Sequence, residues 1–100
     1  MKNFRTFIAA VEFYKLSQKL NPKSHLKDQL NRASLSIVLN LAEGRARHGV
    51  KDKLRFYNIS FASLREVQAL LIILDMEDSE EWKLLDSVAA QLYRLIQKTS

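Results

Sequence analysis

"LKDQLNRASLSIVLNLAEGRARHG", residues 26–49, decides the fold. Leu26, Leu30, Ala33, Ile37, Asn40 and Gly44 recur three or four positions apart, which traces one seam of an α-helix. Leu35, Leu39, Ala42 and Ala46 trace a second seam. A helix with two apolar seams needs cover on two sides. Asn40 sits inside the first seam, and Glu43 follows just before Gly44. A buried carboxylate without a partner costs several kcal/mol, so a satisfied polar network with the next helix is expected. Arg32, Asn40, Glu43, Ser63 and Glu66 are its candidate members, with Ser36 close by.

Outward from this segment, breaks in the chain set the other elements. The sequence holds two glycines and one proline, too little punctuation for a β-rich fold. Helices are predicted over about 4–20, 25–47, 50–75 and 79–98. The first would bury Phe4, Phe7, Ile8, Val11 and Tyr14 behind an Asn3 cap, and Pro22 breaks the chain by pushing the residue before it out of the α region, ahead of a second cap at Ser24. Gly49 is either the terminator of the second helix or the cap of the third. The third carries the seam Val50, Leu54, Tyr57, Phe61, Leu64, Gln68 and Leu71, and a line Ile59, Ala62, Glu66, Ala69 and Ile73 that sets Glu66 among apolar neighbours. The fourth follows Asp78, with Glu81 three residues on as in a capping box, and buries Trp82, Leu85, Ala89, Leu92 and Ile96. Short connections force antiparallel neighbours, so the fold class is all-α: a single up-down-up-down four-helix bundle over residues 1–100.

The 100 residues are 47% hydrophobic, enough for a core. Arg5, Glu12 and Lys15 interrupt the N-terminal stretch, so neither a signal peptide nor a membrane span is expected there. Cysteine is absent, which suits a reducing cytoplasm. His25 and His48 lie at opposite ends of one helix, and no metal site or cofactor is expected. Carboxylate pairs occur without a nucleophile, a placed histidine or a glycine-rich loop, so catalysis is not expected either.

Charge is unevenly placed. The net charge is +5. Arg45, Arg47, Lys51, Lys53 and Arg55 cluster around one turn against the single acid Asp52. Asp75, Glu77, Asp78, Glu80, Glu81 and Asp86 cluster around the next turn, against the single base Lys83. In the predicted topology these lie at opposite ends. The basic turn opens a helix N-terminus, where free N–H groups also favour anions, so its five cations are the candidate phosphate contacts. A solvated end that merely keeps the protein soluble is the plainer reading of the same cluster. Phe56 and Tyr57 read as core, so base stacking is not expected from this stretch.

From Leu26 onward, the residues "LKDQLNRASLSIVLNLAEG" and "RARHGVKDKLRFYNISFASLREV" resemble a family of four-helix bundle proteins. Its members are encoded in intervening sequences of bacterial 23S ribosomal RNA genes. The resemblance rests on Leu26, Gln29, Leu30, Arg32, Ala33, Ser36, Ile37, Asn40, Ala42, Glu43 and Gly44, then on Arg47, Arg55, Phe56, Ser63, Leu64 and Glu66. Three places depart from the pattern. Gly49 replaces a capping serine, Asp52-Lys53 replaces a Glu-Phe pair, and Ala62 replaces a glycine. The resemblance implies a ring-shaped homo-oligomer, commonly a pentamer, similar in fold to accessory proteins of diversity-generating retroelements. It also implies RNA as partner. Together with the charge pattern, the expectation is a non-enzymatic, cytoplasmic nucleic-acid-binding protein that holds phosphates on a multivalent basic rim. The alternative is an oligomeric protein scaffold that never touches nucleic acid.

Overall fold

The computed structural model describes residues 4–22 and 24–100, apart from the Ser24 side chain. It contains α1 (Arg5–Ser17), α2 (Ser24–Ala46), α3 (Val50–Ile73) and α4 (Glu80–Thr99), with no strand among the described residues. The caps expected at Asn3 and Ser24 lie outside the described residues and side chains.

The α2 and α3 seams form the centre of the bundle. Leu30, Ala33, Ile37 and Leu41 are buried against Tyr57, Leu64, Val67 and Leu71. Burial of each large aliphatic side chain stabilises the fold by about 1.5–3 kcal/mol. Small residues let the two helices approach closely: the Ser60 hydroxyl donates directly to the Ile37 carbonyl at 2.9 Å. Linked pairs lie ever nearer in sequence toward the turn, from Arg32 with Glu66 to Ser36 with Ser63 to Gly44 with Lys53. α2 and α3 are therefore an antiparallel hairpin. α1 packs on α2, α4 on α3, and α1 closes against α4, so the four helices stand at the corners of a square 22 Å across and 40 Å long.

α1 turns the face its apolar spacing suggests only partly inward: Phe4 is buried, and Phe7, Val11 and Tyr14 pack against the core. It also buries Thr6, Ala10, Phe13 and Ser17, while Ile8 remains 40% exposed. Ser17 can lie inward because its polarity is locally absorbed: its hydroxyl donates to the Tyr14 carbonyl at 2.8 Å. The helix also stops at Ser17, short of Leu20. Lys19 and Leu20 close tighter i→i+3 bonds to Leu16 and Ser17.

The α3–α4 connection corrects two boundaries. Ser79, not Asp78, caps α4: its hydroxyl accepts from the Trp82 N–H at 3.1 Å, a reach that only the Ncap position has. α3 ends at Ile73 in a Schellman motif, with Met76 N–H bonded to Leu71 O at 2.9 Å and Asp75 N–H to Ile72 O at 3.0 Å. That motif puts Asp75 in the left-handed region, at φ 57°. An L side chain there costs about 1–2 kcal/mol, less for Asp than for most residues. Asp75→Gly should therefore raise unfolding stability by about 0.5–1 kcal/mol. Urea denaturation checks it, and a loss of stability would mean the carboxylate itself holds the turn.

Candidate nucleic-acid interface

The turn between α2 and α3 gathers the basic residues, but it uses them in different ways. α2 ends at Ala46 and Gly49 caps α3, with extended backbone (φ −84°, ψ 145°) and its carbonyl bonded to Lys53 N–H at 3.0 Å. Gly49 thus belongs to the start of α3.

Lys53, expected at the phosphate surface, turns inward. Its ammonium donates to the Arg45 carbonyl at 3.0 Å and the Gly44 carbonyl at 3.3 Å. These belong to the last turn of α2, where carbonyls lack helical partners and the macrodipole is negative. A cation from the first turn of α3 therefore caps α2, and this tie fixes the hairpin's tight end.

The arginines are organised by aromatic rings. The guanidiniums of Arg47 and Arg55 lie 4.7 and 4.4 Å from the centre of the half-buried Phe56 ring. Arg45 lies 4.7 Å from the centre of the Phe4 ring, which is buried and packs in turn on Tyr57. Contacts of this kind hold a guanidinium over an aromatic face while its N–H groups remain free to donate. Arg47 also pairs with Glu43 at 2.8 Å, and Arg55 approaches Asp52 at 3.9 Å. Lys51 is exposed and has no partner among the described residues. The resulting surface is a set of splayed cations: Arg45, Arg47 and Arg55 over aromatic rings, and Lys51 standing out beside them.

Phe4 and Phe56 were not singled out by the charge pattern. Their signal is the adjacency of an aromatic to arginine in "RF" at 55–56 and the position of Phe4 at the start of α1. Neither is visible until the turn brings Arg47 to Phe56. Tyr57 belongs to the core; burial pushes its phenol above the ordinary 10.0, with Arg45 pulling weakly the other way.

The expected polar network is present in part. Ser36 and Ser63 share a hydrogen bond of 2.7 Å, and the Asn40 amide donates to the Ser36 carbonyl at 2.9 Å and hydroxyl at 3.1 Å. Arg32 pairs with Glu66 across the same hairpin. Glu43 stands outside this chain: it lies on the exposed side of α2, where it meets Arg47 one turn on rather than α3. The network is also half-exposed, not enclosed. Beside it, Leu35, Leu39, Ile59 and Ile73 are 38%, 54%, 41% and 63% exposed. Leu35 and Leu39 follow Arg32 by three and seven positions, and Ile59 and Ile73 flank Glu66 by seven on either side, so all four share the outward side of the hairpin. The second seam of α2 is therefore open.

Among the described residues no helix is long and apolar enough to cross a membrane, and no group of His, Asp or Glu side chains has the arrangement to hold a metal ion.

No curated protein matches the chain, and no solved structure does. One family model matches it over residues 5–99, which takes in all four helices. The chain belongs to the 23S rRNA-intervening sequence protein family.

Proposed function

We propose that this protein binds RNA without catalysis, in the cytoplasm, through the phosphate backbone. The observation that carries this is the α2–α3 turn. Three guanidiniums, Arg45, Arg47 and Arg55, are presented there on Phe4 and Phe56, with exposed Lys51 beside them near the N-terminus of α3, in a family associated by description with ribosomal RNA. The helices follow an up-down-up-down course, and copies assemble through the open side of the α2/α3 hairpin into a ring, a pentamer by family resemblance. Each subunit then adds one basic turn to a common rim. The exposed Leu35, Leu39, Ile59 and Ile73 support that assembly, since apolar surface left in water favours association.

The test is affinity for a structured RNA measured against salt. Binding should weaken steeply between low and physiological ionic strength. Replacing Arg45, Arg47 and Lys51 together by Gln should weaken it about tenfold to a hundredfold at low salt, with Lys53 left in place because it caps α2. A flat salt response, or a triple variant that binds like the parent, would refute RNA binding at this turn.

A second reading has its own support. At the far end of α3, Ile72 and Ile73 are exposed beside Asp75, Glu77 and Asp78, a surface suited to a protein partner. A scaffold built on it keeps its partner after ribonuclease treatment, whereas an RNA-bridged complex does not.

A further inference from the structure

The α2–α3 turn is not the whole of the molecule's positive surface. A groove of about 310 Å³ runs between the start of α1 and the end of α4. Three of its lining side chains are cations, Arg5, Arg94 and Lys98, accompanied by Gln91, and none is a carboxylate. None of these cations forms an ion pair among the described residues. Arg94 and Lys98 are one helical turn apart on α4, a like-charge spacing that costs a lone helix a few tenths of a kcal/mol. Lys98 complements the C-terminal pole of α4; Arg94, a turn further in, and Arg5, on another helix, do nothing of that kind.

The groove also joins the turn. Arg5 directly follows Phe4, and Phe4 carries the Arg45 guanidinium at 4.7 Å. Positive charge therefore passes from the α2–α3 turn, over the start of α1, into the α1/α4 groove. In the square arrangement of helices the α1/α4 side stands opposite the α2/α3 side. Assembly through the latter leaves the groove open.

We propose that the α1/α4 groove, through Arg5, Arg94 and Lys98, is a second phosphate-binding track that continues the basic turn and holds the same RNA strand. The inference rests on the RNA-binding reading above. Guanidiniums and an ammonium with no internal partner meet phosphate oxygens at small cost, because no existing ion pair has to be broken. Gln91 adds an amide able to donate to a sugar hydroxyl or phosphate oxygen.

The test compares two triple variants of the full chain, Arg5→Gln/Arg94→Gln/Lys98→Gln and Arg45→Gln/Arg47→Gln/Lys51→Gln, binding a fluorescent uridine homopolymer across a salt series. The first should bind about tenfold to a hundredfold more weakly at low salt. Its plot of log affinity against log salt should be shallower by about 2, near 0.7 for each of three lost single-strand contacts. Its thermal stability should equal or exceed the parent's, since a like-charge pair is removed. In the parent, the RNA should also shield Lys98 from amine acylation. If the groove variant keeps parental affinity and slope while the turn variant loses both, the groove proposal fails and the RNA reading stands. Unshielded Lys98 at saturating RNA overturns the groove as well. If the parent binds no RNA, both readings fall together.

Discussion

Gly44→Ala should destabilise the protein by about 2–4 kcal/mol, a drop in Tm of roughly 10–20 °C for a domain of this size. The direction is informative because helix propensity points the other way. In an exposed helix interior, alanine is more favourable than glycine by about 1 kcal/mol. At this position a Cβ would lie 2.5 Å from Cε1 and 2.7 Å from Cδ1 of Tyr57, and 3.3 Å from the Lys53 carbonyl oxygen. The tyrosine ring has little room to yield: it is 3% exposed and packed against Phe4. Backing the helices apart instead would carry the Lys53 carbonyl outward and loosen the ammonium cap on Gly44 and Arg45. The damage would therefore reach the base on which Arg45 is held. Denaturation of Gly44→Ala, of Tyr57→Ala and of the double variant forms a cycle that isolates the contact. In the Tyr57→Ala background the added methyl should cost far less. A Gly44→Ala protein as stable as the parent would mean that the close approach is not real in solution.

Gly44 also marks how far the sequence alone could be read. Its place in the seam after Asn40 was legible, because three-and-four spacing persists through it. So were the number of helices, their order, and the core of α2 and α3, where large aliphatic residues keep strict register. At α1 the core contacts of Phe4, Phe7, Val11 and Tyr14 were legible, but the inward places of Thr6 and Ser17 were not, because a search for apolar spacing passes over polar residues. The charge pattern located the basic turn yet could not divide it. Lys53 and Lys51 are both lysines near one helix start, and only the pairing of α3 with the end of α2 makes one a cap and leaves the other free. Glu43 could reach either α3 or Arg47 by spacing; its position on the outer side of α2 decided for Arg47. Arg5, Arg94 and Lys98 are scattered over nearly the whole chain, so no window along the sequence could join them.

Leu35→Glu/Leu39→Glu should reduce the particle to a single subunit of 11.6 kDa by light scattering, from a parent several times heavier at micromolar concentration. Both side chains point away from the core, at 38% and 54% exposure, so the change should leave helix content nearly intact. What it removes is the apolar surface beside the Ser63–Ser36–Asn40 chain, which an interface of standard size, about 800 Å² per partner, would have to include. Glutamates one turn apart add like charge to each copy, and like charge repeated around a closed ring opposes assembly in every interface at once. RNA affinity should fall with the mass. A single basic turn offers a few phosphate contacts, whereas a ring offers several turns at high effective concentration, so loss of the ring should cost about 10²–10⁴ in affinity although no cation has been touched. The two measurements separate the parts of the model. A variant that becomes monomeric but binds RNA as before would show that one subunit suffices and that the rim adds nothing. A parent that already runs at 11.6 kDa would leave Leu35, Leu39, Ile59 and Ile73 uncovered in a lone molecule, and multivalent binding would lose its physical basis.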